Sequence, residues 1–169
     1  MKKGLFFLFI SLFCVFLLPC AGCSPEKQVV IQKHFSSNIY VSTEDISFKG
    51  EFSHNKRGDI ILTVNFPEEI AGYKYTVNDK NVKMSFMDID SSYNITDFPQ
   101  KAPIRVLYQV LKFLETQNNV INQRGDNESN RYNIKTEDSI VYINSKGEIT
   151  SIKNDSVEIT FVNPVAENK

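Results

Sequence analysis

From residue 46 onward, apolar and polar residues alternate with a period of two, the pattern of strands with one buried face. Ile46, Phe48, Gly50 and Phe52 fall on one side, and Ser47, Lys49 and Glu51 on the other. After a turn at 54–58, Ile60, Leu62, Val64 and Phe66 repeat the alternation. Pro67 then breaks it, since proline cannot donate to a ladder, and Gly72 accepts the positive φ of a turn. Tyr73, Tyr75 and Val77 continue the pattern, and after a turn at 78–79 so do Val82, Met84 and Phe86. At Met87 and Ile89 the apolar parity switches, which predicts a bulge or a strand end.

One stretch changes period. Ile104, Leu107, Leu111 and Leu114 form a stripe at helical spacing, broadened by Val106, Val110 and Phe113. Pro103 suits a first helical position. The stripe predicts one long, apolar helix covered on more than one side. It fades into residues 118–130, read as a 13-residue polar loop. Strands resume at 132–135, 140–143, 148–152 and 157–162, with turns at 145–147 and 154–155. Residues 140–143 are apolar on both parities, as in a strand covered on both faces. About nine short strands and one helix predict an α+β fold, a curved antiparallel β-sheet (half-barrel) wrapping that helix.

The first 22 residues follow neither period. Lys2 and Lys3 precede a fourteen-residue run, 5–18, interrupted only by Ser11, and small residues Ala21 and Gly22 follow. Positive, apolar, small, polar is the order of a signal peptide, and the run is shorter than the roughly 20 residues that span a bilayer. All three cysteines, Cys14, Cys20 and Cys23, lie in or beside this segment. Cysteine directly after Ala21-Gly22 resembles the lipobox of bacterial lipoproteins. That resemblance implies a lipid on Cys23 after cleavage, although Cys20 stands where leucine is usual. The alternatives are an uncleaved anchor over 4–22 and a plain secretory signal. The organisation expected is a lipoprotein signal peptide over 1–22, a tether over 23–36, one domain over 37–164 and a tail over 165–169. An anchor on Cys23 would place the chain on the extracytoplasmic face of a bacterial membrane, with no cysteine left for disulfides.

Composition narrows the chemistry. Discarding the signal leaves 17 basic against 20 acidic residues. No basic patch stands out, so nucleic acid is not expected as a partner. The two histidines, His34 and His54, are 20 residues apart among polar neighbours and are expected on the solvated surface. No nucleophile elbow, metal-ligand cluster, calcium loop or phosphate loop occurs, so neither an enzyme nor a metal or cofactor site is expected. Asp88 and Asp90 read as a polar strand end. Arg-Gly-Asp occurs at 57–59 and 124–126, but all three residue types also favour exposed turns. What remains is binding. A helix on a curved sheet leaves either a filled core or an apolar groove, with Phe48, Phe52, Leu62, Val64, Phe66, Tyr75, Met84 and Phe86 as candidate lining. Open sheet edges can also recruit a chain by strand addition.

The order of these parts carries a resemblance. A lipobox cysteine, alternating strands, the Phe66-Pro67-x-x-Ile70-x-Gly72 break, a hairpin, one apolar helix and a closing meander resemble small clostridial lipoproteins of the germination-lipoprotein family. Their half-barrel is like that of the outer-membrane lipoprotein carrier, LolA. The resemblance implies a non-enzymatic, membrane-anchored protein of sporulation and germination, which binds and activates a cell-wall-modifying enzyme such as a spore cortex amidase. The alternative it leaves open is a lipid or lipoprotein carrier that uses the apolar groove.

Overall fold

The computed structural model describes residues 29–117, 120–121 and 131–167. The signal segment, Cys23 and the second Arg-Gly-Asp tripeptide lie outside the described residues.

Ten strands form one antiparallel sheet, built from two meanders that meet along a shared pair of strands. The first meander comprises β2 (Phe35–Thr43), β3 (Ser47–His54), β4 (Ile60–Phe66), β5 (Lys74–Asn78), β6 (Asn81–Phe86) and β7 (Ile89–Asn94). The second comprises β9 (Arg131–Lys135), β10 (Ile140–Asn144), β11 (Ile149–Lys153) and β12 (Val157–Ala166). β12 pairs with β2, so the order runs β7-β6-β5-β4-β3-β2-β12-β11-β10-β9. The end strands β7 and β9 do not pair with each other, and the sheet is curved and unclosed. A two-stranded ladder, β1 (Val29–Val30) with β8 (Val120–Ile121), stands apart from it.

Among the described residues one α-helix, α1 (Pro103–Thr116), connects the meanders and supplies the other half of the core. At 14 residues it is about 21 Å long and covers the whole stripe, a short helix rather than the long one expected. Its Ile104, Val106, Leu107, Val110, Leu111 and Leu114 are buried. They share one cluster with the inward side chains of the sheet, from Phe35 and Ile39 to Ile159 and Phe161. The fold is α+β, as the alternation of periods predicts.

Four expectations need correction. The domain begins before residue 37 and ends after 164. Ile31 and Phe35 are buried, Val165 and Ala166 still pair with β2, and the Glu167 amide donates to the His34 carbonyl at 3.1 Å. Pro164 is tolerated because it falls in a bulge, between Val162 and Val165, where no ladder amide is needed. Second, residues 118–130 are not one uninterrupted loop, because Val120 and Ile121 pair with β1. Third, β10 is covered on one face only: Val141 and Ile143 are buried, but Ile140 is exposed.

The fourth concerns Phe66, which is 56% exposed. Its strand carries an extra residue: Gly50 pairs with Val64, yet Lys49 pairs with Phe66. A bulge at Asn65 therefore inverts the parity and turns Phe66 to the outer face, with the Lys49 ammonium 6.0 Å from its ring centroid. Gly50 sits opposite this point, and a Cβ there would lie 2.1 Å from the Thr63 carbonyl oxygen. Only glycine lets the two strands approach so closely.

Candidate functional site

The sheet and the start of α1 enclose an open apolar pocket of about 440 Å³. Its floor is Phe48, Leu62 and Val64, all buried, with Ile46 at the rim. One wall is Tyr75 and Met84, with Ile70 and Tyr73 brought alongside by the segment after Pro67. The turn there is held by hydrogen bonds from the Gly72 amide to Val64 O and from the Val64 amide to Tyr73 O, each 2.8 Å. The opposite wall is Phe98 with Ala102, Pro103 and Ile104 from the entry into α1.

That entry is fixed locally. The side chain of Asn94 accepts from the Thr96 amide at 3.1 Å, while the Asp97 carboxylate accepts from the Asn94 amide at 2.9 Å, a capping box on the short turn Ile95–Asp97. Arg105 Nη1 donates to the carbonyls of Phe98 and Thr96, which ties this turn to the first helical turn. Phe98 packs edge-on against Tyr75 and Tyr93, with centroids 6.5 and 5.9 Å apart. Beyond Met84 and Phe98 lies a smaller pocket of about 180 Å³, which also touches Tyr93, Asp97 and Pro99.

Of the eight sequence-proposed lining residues, the structure brings five to this pocket: Phe48, Leu62, Val64, Tyr75 and Met84. Phe52 instead packs in the core against Phe35 and Phe161. Phe86 stacks flat on Tyr73, with centroids 4.1 Å apart, behind the wall. Phe66 is outside. Ile70, Phe98 and the residues entering α1 come from turns and the helix start, where no strand period marks them, whereas Ile46 and Tyr73 lie on the alternation but are not among the proposed lining. The pocket's lining contains no charged side chain. It can hold hydrocarbon, and its polar side-chain atoms are the phenol oxygens of Tyr73 and Tyr75. Burial raises the Tyr75 pKa, with Tyr73 adding to the effect.

His54 is not at the solvated surface, and His34 is half-buried. His54 is buried at the far end of β3, and the His34 ring lies 5.0 Å from it. His54 Nδ1 is 2.7 Å from the Lys33 carbonyl, so that nitrogen carries the proton. Nε2 then faces Glu115 Oε1 at 3.3 Å. Lys112 Nζ donates to the other Glu115 oxygen at 2.9 Å, and Lys33 Nζ donates to the Gln117 carbonyl at 3.1 Å beyond the helix end. The cluster fastens the end of α1 to the start of the sheet. Burial pushes the His54 pKa below its ordinary value, outweighing the Lys33 carbonyl and Glu115. Burial opposes the Glu115 charge too, but Lys112 and the histidines hold that carboxyl below its usual range.

The sign of the pH dependence follows. A buried neutral histidine that must take up a proton on unfolding stabilises the fold above the ordinary imidazole value near 6.5. That stability is lost as pH falls from about 7 toward 5, while Glu115 stays ionised. Urea midpoints should therefore fall across this window, and His54→Gln should flatten the slope. Equal slopes in both proteins would remove His54 as the cause.

Elsewhere, Lys83 Nζ holds Asp90 at 2.7 Å, and Asp59 of the first Arg-Gly-Asp accepts from the side chains of Asn55 and Asn78. Among the described residues, no group of three or more His, Cys, Asp or Glu could hold a metal ion.

No protein-family model matches the chain. No curated protein matches it either. Among solved structures it is similar to a LolA superfamily protein from Nitrosomonas europaea, with a TM-score of 0.42 and 6% sequence identity, over 86% of this chain and 88% of that one.

Proposed function

We propose that this chain is a non-enzymatic, lipid-anchored binding protein that takes the hydrocarbon chain of a lipid or lipoprotein into the pocket between β3–β6 and the start of α1. The pocket carries the reading: its volume of about 440 Å³ suits a small ligand, and its lining is aliphatic and aromatic with no charged side chain. A lipid on Cys23 would tether it at a bacterial membrane. Only five residues lie between Cys23 and Val29 in β1, six chain steps with a reach of about 20 Å at full extension.

Native mass spectrometry of protein taken from its own membrane tests both parts. The expected result is a diacylglyceryl adduct on Cys23 and a co-purifying acyl lipid that added lipid displaces. Cys23→Ser should release the protein to the soluble fraction and leave its ligand binding unchanged. Protein that arrives lipid-free and binds no acyl probe ends the carrier reading. An unmodified Cys23 ends the anchor.

One observation favours a second role beside the first. β7 ends the sheet with its outer side unpaired among the described residues, and its first residue Ile89 and the preceding Met87 are largely exposed. Such an edge suits strand addition by a partner chain, as the resemblance to germination lipoproteins implies for a cell-wall amidase. Co-purification from sporulating cells should then recover a cell-wall hydrolase, less of it with Ile89→Lys. Recovery of none, or equal recovery with that variant, removes this role.

A further inference from the structure

We infer that the pocket selects an uncharged acyl ester or amide over a free fatty acid, with the Tyr75 hydroxyl as the donor that reads the carbonyl. This rests on the pocket reading above and narrows the ligand it takes.

Three observations on the site carry it. First, no lysine, arginine or histidine lines the pocket, so an entering carboxylate finds no counter-ion. A buried charge without a partner costs several kcal/mol or more, whereas a buried carbonyl needs only one donor. Second, the one charged residue lining the smaller cavity that shares Met84 and Phe98 with it is an acid, Asp97. That carboxylate is held by the Asn94 amide, and the smaller cavity likewise has no cation in its lining. Third, the Tyr75 hydroxyl makes no hydrogen bond among the described residues, although its ring is half-buried in the pocket wall. A phenol in that position is an open donor. Its ring is braced edge-on by Phe98. The stacked Tyr73 and Phe86 lie next to it along the same wall. A carbonyl arriving at the end of a hydrocarbon chain completes a donor the wall leaves unused, and the headgroup beyond it stays in water.

The test is competition for a fluorescent acylglycerol bound to the full mature chain at pH 7.4, below micellar concentrations. The competitors are monopalmitoylglycerol and palmitate. The glycerol ester should displace the probe at a concentration at least tenfold lower than palmitate. Tyr75→Phe, which keeps the ring and removes the hydroxyl, should weaken the ester about five- to tenfold and leave palmitate unchanged, so that the preference shrinks. Equal displacement by the two competitors overturns the inference while leaving the pocket reading intact. So does a preference that Tyr75→Phe does not alter. A probe that never binds overturns the pocket reading, and this inference falls with it.

Discussion

Phe52→Ala lowers the stability of the fold by about 3–5 kcal/mol, the cost of emptying an aromatic site in a packed core. Phe52 is 2% exposed and sits among Phe35 and Phe161, with centroids 5.2 and 5.4 Å away. Those two rings are themselves 5.3 Å apart, so the three close a triangle across β3, β2 and β12. These neighbouring strands join the two meanders, and a cavity there loosens the seam of the sheet. Against a typical total of about 5–15 kcal/mol, the loss is a large fraction. Phe66→Ala is the matched control. Its ring lies on the outer face beside Lys49, and its removal should cost no more than about 0.5 kcal/mol. Urea denaturation of both variants decides the point. Similar losses for the two would mean that the parity inversion at Asn65 does not exist. The folded fraction of Phe52→Ala should still bind an acyl probe, because Phe52 does not line the pocket.

The contrast between these two phenylalanines marks what a period of two can reveal. Alternation located β3 to β6 and put Phe48, Leu62 and Val64 on the buried face, because each lies on a regular stretch of ladder. It could not register one extra residue at Asn65, since a bulge leaves the spacing of residue types unchanged while reversing the side they face. β2 stayed hidden for a different reason. Phe35, Ile39 and Val41 alternate, but Ser37 occupies an inward position, where its hydroxyl donates to the carbonyls of Asn38 and Val162 at 2.8 and 3.0 Å. A buried serine satisfied by backbone reads in sequence like a surface residue. His54 is the same case: polar by type, buried by place, and held by the Lys33 carbonyl. Half of the pocket was legible because it is strand. The remainder depends on which end of α1 lies over β4 to β6, and that is decided by packing across the whole core.

Ala102→Trp should abolish ligand binding, by tenfold or more, and leave the fold nearly as stable as before. Ala102 lines the pocket from the cap of α1, with φ −66° and ψ 129°, an extended conformation that a large residue adopts freely. Its side chain makes no capping hydrogen bond, so replacing it removes none. An indole there fills much of a pocket of about 440 Å³ and lies against Tyr75 and Phe98 across the opening. Burying that ring against apolar walls offsets whatever crowding it introduces. Ala102→Ser separates the pocket from the cap. Serine adds the missing acceptor for the first free helix amides, which should raise stability by about 0.5–1 kcal/mol, and its small side chain leaves the pocket open. Probe titration and thermal melting of both variants give four readings. Binding lost with tryptophan and kept with serine places the ligand at the start of the helix. Binding kept with tryptophan would put the ligand elsewhere, because the same ring that blocks an acyl chain has no other route into the function of a folded protein.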